Sequence, residues 1–328
     1  DMLLARRFEE RAAQEYSEGQ FSGFLHLYPG QEAVAVGTLH AAEPSDYVVS
    51  TYRDHVHALV RGIPPEQVMA ELFGRRDGIC RGMGGSMHLF DPDRRFMGGF
   101  AIVGETFPIA IGIAYGIALR QLNEAVICFF GDGAANQGNF HESLNMAALW
   151  RLPVLFVCEN NRYQIGTEIH RHSAETEIYK RGGAYRIPSE QADGMDLLAV
   201  FDAADRMLRQ IRQGQGPQLL ELNTYRFRGH SMADPGNYRP DMEVRTQKSI
   251  GPLKRIQEEL RKPHPFISRL GEVGPKEHLV DEADFEALKA DVEERVERAV
   301  AFARNSPEPT LDDAWRALND GRLGKPLI

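Results

Sequence analysis

Ala125-Val126-Ile127-Cys128-Phe129-Phe130, then Gly131-Asp132-Gly133, then a segment from Gly138 to Trp150, then Pro153-Val154-Leu155-Phe156-Val157-Cys158 and Asn160-Asn161, is the stretch that decides the fold. The two apolar runs read as strands buried on both faces, and the segment between them reads as a helix. A strand, helix, strand unit crosses over right-handed and makes its strands parallel. Both strands therefore end at one edge of the sheet, where α/β folds bind ligands. Asp132 follows the first strand and Asn161 the second, so a carboxylate and an amide oxygen can meet at one point. With a nearby backbone carbonyl, such donors suit a hard cation such as magnesium, which is often shared with phosphates. A lone Gly-Asp-Gly is only a tight turn; the paired asparagines, with a strand before each element, raise it above that. The expected architecture is α/β, a three-layer sandwich with a mostly parallel sheet.

Working outward, residues 1–19, 31–42 and 64–74 read as helices, the last opened by Pro64-Pro65 and followed by Gly74. Residues 78–100 are rich in glycine without a clear period and read as an ordered loop. Residues 107–119 are apolar nearly all round, which predicts a helix buried on every side, as a core helix or in a subunit interface. Residues 196–213 read as an amphipathic helix. A strand opens at Gln218 and is expected to continue to about Phe227. Residues 229–251 read as a polar loop, and 252–261 and 283–304 as helices. In the last, Leu288, Val292, Val296, Val300 and Ala303 form an apolar stripe. This divides the chain into a domain over 1–262 and a C-terminal helical arm over 263–328 packed on it.

The chain has 328 residues and a net charge of -9, which argues against nucleic acid or an anionic membrane surface as general partners. No run of 18 or more apolar residues predicts a membrane span. No secretory signal is visible, although a start at Asp1 suggests a trimmed terminus. Cys80, Cys128 and Cys158 show no metal-ligand spacing; the latter two fall in the predicted strands and read as small packing residues of a reducing compartment.

The Gly131-Asp132-Gly133 to Asn160-Asn161 block resembles the thiamine diphosphate motif. Further segments extend the likeness: Gly23 to Tyr28 with Gly30-Gln31-Glu32-Ala33, Ser50 to His57, Arg81 to His88, and Tyr225 to Pro235. Together they resemble, in order, the alpha subunits of two-subunit 2-oxo acid dehydrogenases. The nearest likeness is to the decarboxylating component of pyruvate dehydrogenase complexes.

The resemblance implies that Asp132, Asn161 and the carbonyl of Tyr163 bind magnesium, which holds the diphosphate. It implies that Tyr52 and Arg53 contact the diphosphate, an arginine fork matching phosphate geometry. Gly133 and Ala134 would offer backbone N–H groups at the strand-to-helix turn. Ala101 to Gly104 would grip the aminopyrimidine ring through backbone groups, Ala101 and Val103 among them. Ala101 replaces the glycine of many relatives, which is tolerable where no positive φ is needed. Ile165 would wedge the cofactor into a bent shape, and His26 and His230 would serve the substrate side, His230 touching cofactor as well. His55 and His57 could be cofactor neighbours or scaffolding. Ser231 matches a serine phosphorylated in mitochondrial relatives, and regulation there is not expected in a bacterial-type chain.

The resemblance further implies a beta subunit that supplies the activating glutamate, in an assembly of two alpha and two beta chains. It also implies a 2-oxo acid substrate, a lipoyl-bearing acyltransferase as acceptor, and a cytoplasmic setting of bacterial type, or else an organellar matrix or stroma. Pyruvate leads as substrate, with acetoin and branched-chain 2-oxo acids as alternatives. A non-catalytic scaffold subunit is the alternative of another class. A nicotinamide site is disfavoured, because the spaced glycines and the later acidic residue are missing.

Overall fold

The computed structural model describes residues 1–262 and 280–319. Strands β1 (Tyr47–Thr51), β2 (Phe96–Phe100), β3 (Val126–Gly131), β4 (Val154–Asn160), β7 (Ser189–Asp193) and β8 (Gln218–Asn223) form one six-stranded sheet ordered β2-β1-β3-β4-β8-β7. Every neighbouring pair in it is parallel. A small antiparallel hairpin, β5 (Tyr163–Gln164) and β6 (Thr167–Glu168), stands beside it.

Alternation along the strands builds the three layers. Ile127 and Phe129 of β3, with Leu155 and Val157 of β4, point into a core shared with α1 (Met2–Ser17), α4 (Pro65–Leu72), α8 (Leu197–Gln210) and α11 (Glu282–Asn305). Val126, Cys128 and Phe130, with Val154, Phe156 and Cys158, point the other way, onto α5 (Thr106–Leu119) and α6 (Gly138–Trp150). Cys128 and Cys158 are free thiols pushed up by burial, Cys128 to about 12, and serve as packing. Two further helices, α2 (Glu32–Ala41) and α3 (His55–Val60), flank β1 in sequence.

Several expectations are corrected. The strand from Gln218 stops at Asn223, and Tyr225 and Phe227 instead join a small cluster with Tyr163 and Met195. The supposed loop 78–100 ends in β2, and the polar loop 229–251 contains α9 (Asp241–Ser249). No residue of α9 is buried, so it carries no apolar period to read. In the single chain α5 keeps one open side, with Tyr115 49% and Leu119 72% exposed, beside Leu149 (71%) and Trp150 (46%) of α6, which goes against the core-helix alternative and leaves the interface one standing. α10 (Pro252–Leu260) lies where expected, and α11 buries Phe285, Val292, Val296 and Val300 while Leu288 stays 47% exposed. Residues 263–279 of the predicted arm lie outside the described residues; α12 (Leu311–Asn319) follows α11. No helix among the described residues is long and apolar enough to cross a membrane.

Candidate functional site

The chain reverses direction across the sheet between β1 and β3: β2 lies to one side of β1, and β3 and β4 to the other. Parallel sheets open a crevice at the carboxyl ends of such strands. A cavity of about 220 Å³ occupies this place. Its lining includes His26, Tyr52, Arg53, Ala101, Val103, Asp132, Gly133, Ala134, Asn161, Tyr163, Ile165 and His230, so every residue singled out for cofactor, metal or substrate meets at one hollow.

The register explains the oxygen donors. Gly131 pairs with Glu159, so Asp132 and Asn161 leave adjacent strands roughly 4.8 Å apart within a residue of each other. Asn161 Nδ2 donates to Gln31 Oε1 at 3.0 Å, which turns Asn161 Oδ1 away from Gln31. Tyr163 N donates to that Oδ1 at a long 3.3 Å. Asp132 is 1% exposed and meets His172 Nε2 at 3.1 Å through Oδ2. Among the described residues no group of three or more His, Cys, Asp or Glu side chains is placed to hold a metal ion; the donors at the two strand tips are a carboxylate and an amide, with main chain nearby. Such a set fits a hard divalent cation.

The same cavity also carries two cationic side chains. Arg53 is buried, donating to Leu27 O and, at 2.8 Å, to His230 O. Arg226 is buried too, donating to Ile165 O and accepting-oxygen Tyr238 Oη, both at 2.9 Å. Among the described residues neither guanidinium makes an ion pair with a carboxylate. Burial, and then Arg226, holds Arg53 down to about 10. Two buried guanidiniums without carboxylates favour an anion between them. A carboxylate in the same hollow needs a bridging cation if that anion is to approach it.

His26, Tyr52 and His230 pack as a ring trio, with centroids 4.6 Å (His26–Tyr52), 4.9 Å (His26–His230) and 5.7 Å (Tyr52–His230) apart. Burial, then Arg53, drives His26 down to about 2 and His230 down to about 4. Both imidazoles are therefore neutral near pH 7, and among the described residues buried His26 Nδ1 has no partner. Asp234 Oδ2 receives His230 N, and Tyr238 Oη donates to it at 2.7 Å, fixing the loop that carries His230. Ser231 follows in that loop, half-buried.

Ala101 is absent from the residues with positive φ, so its side chain costs nothing. Ile165 has φ +55° on the turn of the β5–β6 hairpin and is 60% exposed at the cavity rim. A β-branched residue held in the left-handed region is strained, and such strain clusters at functional sites. Gly133 and Ala134 lie in the first turn of a short 3-10 segment, Asp132–Asn136, where backbone N–H groups lack intrahelical acceptors.

His55 and His57 line no part of the cavity and act as scaffolding. His55 Nδ1 meets Glu9 at 3.2 Å, and its Nε2 reaches Ser86 Oγ at 2.9 Å. His57 Nε2 lies 3.1 Å from Glu159 Oε1, which also receives the Tyr28 hydroxyl. Sequence reasoning gave no role to Gln31, Glu159 or Arg226. Gln31 and Arg226 stood inside quoted motifs, but their partners come from distant segments. Glu71 was missed as well: buried, it receives Cys80 N at 2.8 Å, Gly82 N at 2.9 Å, Gly84 N at 2.7 Å and Gly85 N at 3.2 Å, and so anchors the loop that brings Met87 to the cavity.

A six-stranded parallel sheet with helices on both faces, and a cavity at its switch point lined by buried guanidiniums, a carboxylate and an amide, defines an α/β protein with a polar crevice where such folds bind ligands. The family model described as "Dehydrogenase E1 component" matches residues 1–312, and the chain belongs to that family. A protein of Porphyra purpurea named pyruvate dehydrogenase E1 component subunit alpha is 44% identical over 325 residues, covering 97% of this chain and 90% of that one. Its namesake in Rhizobium meliloti is 43% identical over 316 residues, covering 96% and 87%. A chloroplastic alpha-3 form from Arabidopsis thaliana is 43% identical over 315 residues, covering 94% and 70%.

Proposed function

We propose that this chain is the alpha subunit of the decarboxylating component of a pyruvate dehydrogenase, and that it holds the diphosphate end of thiamine diphosphate through magnesium. The observation that carries the reading is the convergence on one cavity of two carboxylate-free buried guanidiniums with Asp132 and Asn161 at adjacent strand tips. Asp132, Asn161 and the Tyr163 carbonyl would hold the ion. Arg53, Tyr52 and the N–H groups of Gly133 and Ala134 would hold the phosphates. Ala101 and Val103 would offer main chain to the aminopyrimidine, and Ile165 an apolar wedge.

Bound thiamine diphosphate supplies the electron sink that lets a 2-oxo acid lose carbon dioxide. His26 and His230 sit where the substrate would lie. As neutral imidazoles they orient it by hydrogen bonding rather than by fixed charge.

The cavity is smaller than the ~300–1,000 Å³ of pockets that enclose a whole ligand. Its rim carries exposed Ile102 (70%), Val103 (42%) and Ile165 (60%). Half a site with an apolar rim calls for a second wall, which we assign to a beta subunit in a two-alpha, two-beta assembly. The exposed α5–α6 face is a further docking surface within it. The acetyl group passes to a lipoyl-bearing acyltransferase. In this reading residues 1–262 form the cofactor-binding body, α11 of the C-terminal arm packs on it, and the setting is a bacterial-type cytoplasm. Turnover of pyruvate, acetoin and 2-oxoisovalerate by the chain with a beta partner tests it: pyruvate should lead, and the chain alone should be inactive. Strong turnover without a partner, or none of pyruvate with one, overturns it.

A further inference from the structure

Asp132 is held from behind by a polar relay. The short helix α7 (Ile169–His172) ends at His172, whose side chain is 7% exposed and whose Nε2 lies 3.1 Å from Asp132 Oδ2. Which ring nitrogen carries the proton can be read from its neighbours. Arg181 Nη1 donates to Asn136 Oδ1 at 2.9 Å. A guanidinium only donates, so the Asn136 oxygen faces Arg181 and its NH2 turns the other way. That NH2 donates to His172 O at 2.9 Å and lies 3.2 Å from His172 Nδ1. The Ser173 hydroxyl accepts from Arg181 Nη2 at 3.1 Å, and His172 Nδ1 at 3.0 Å is a nearer acceptor for its hydrogen than Asn136 Oδ1 at 3.4 Å. An ionised carboxylate only accepts, so the contact with Asp132 Oδ2 puts a proton on Nε2, and the Asn136 NH2 and Ser173 hydroxyl beside Nδ1 suit it as an acceptor. Among the described residues no hydrogen bond occupies Asp132 Oδ1.

We propose that Arg181, Asn136 and His172 form a relay that sets the histidine tautomer and turns the Asp132 carboxylate so that Oδ1 faces the divalent ion. His172 is a positioning residue, and its role rests on the reading of Asp132 as a metal ligand. Hydrogen-bond partners behind a metal ligand typically govern affinity by about 10–100-fold.

The probe is Mn2+, titrated into the full chain with its beta partner and thiamine diphosphate, with the free ion counted by electron paramagnetic resonance. His172→Ala should weaken Mn2+ binding by about 10–100-fold. His172→Gln, whose amide NH2 can donate from a similar place, should restore most of it. Nitrogen-15 resonances of the His172 ring in the metal-free chain should place the proton on Nε2, a reading that stands whether or not the alanine variant folds. Equal Mn2+ affinity in the alanine variant and the natural chain, a glutamine variant as weak as the alanine one, or a proton on Nδ1 overturns the relay alone. A natural chain that takes up no Mn2+ removes the metal reading of Asp132 beneath it.

Discussion

Ile165 offers a test in which the sign of an effect separates strain from ordinary packing. Its φ of +55° places a β-branched side chain in the left-handed region, at a cost of about 1–2 kcal/mol. It is 60% exposed, so truncation forfeits only about two fifths of the ~1.5–3 kcal/mol of a fully buried isoleucine, roughly 0.6–1.2 kcal/mol. Ile165→Ala keeps most of the strain and loses most of that burial. Ile165→Gly loses slightly more burial and about 0.4–1 kcal/mol through the freer unfolded chain, but sheds the strain. The glycine variant should therefore be the more stable of the two, by roughly 0.8 kcal/mol. At an unstrained position alanine would win by about 0.4–1 kcal/mol. Urea unfolding of both variants decides the sign from their midpoints at equal slope. Both variants should lose turnover when assembled with the beta partner, because the wedge is gone in each. An alanine variant more stable than the glycine one refutes the strain, and undiminished turnover refutes the wedge.

Other outcomes follow from the same geometry. His26 and His230, held at about 2 and about 4, lie below the ordinary value near 6.5. Above that value the folded and unfolded chains are alike at these rings. Below it the unfolded chain binds protons that the folded chain refuses, so stability is fully present above about pH 6.5 and falls as the pH drops; urea midpoints from pH 7.5 to 5 should decline, and less so in His230→Gln. Glu71→Gln sets an amide NH2 against two of the four backbone N–H groups that the carboxylate receives, and should cost about 1–3 kcal/mol, with faster hydrogen exchange at Cys80 to Gly85. Leu119→Arg with Leu149→Arg should change the isolated chain by no more than about 0.5 kcal/mol per site. Sedimentation should nevertheless show weakened association with the beta partner, because charges would be buried in the joint; unchanged association removes that face from the interface.

The centre of the fold was legible because β3 and β4 are apolar runs that need cover on both faces, and because the helix between them has the right length. The edges were not. β7 is Ser189-Glu190-Gln191-Ala192-Asp193, a polar edge strand without alternation, and β2 is Phe96-Met97-Gly98-Gly99-Phe100, hidden in a glycine-rich stretch. The sequence of α5 left two readings open, because an apolar surface can be covered by another chain as well as by its own core. At the site, the residues that would touch the ligand stood in motifs and could be named. Gln31, Glu71 and His172 act by holding other groups, and the partnership of Gln31 with Asn161 spans 130 residues, a proximity that only the folded sheet creates.

The most direct measurement is the phosphorus-31 spectrum of thiamine diphosphate bound to the chain and its beta partner, with Mn2+ in place of magnesium. If Asp132 and Asn161 share one ion that clasps the diphosphate, both phosphorus resonances broaden in the natural assembly, and the broadening is lost in Asp132→Ala and weakened in Asn161→Ala. Diphosphate binding that ignores the metal, or broadening that survives Asp132→Ala, would contradict the account.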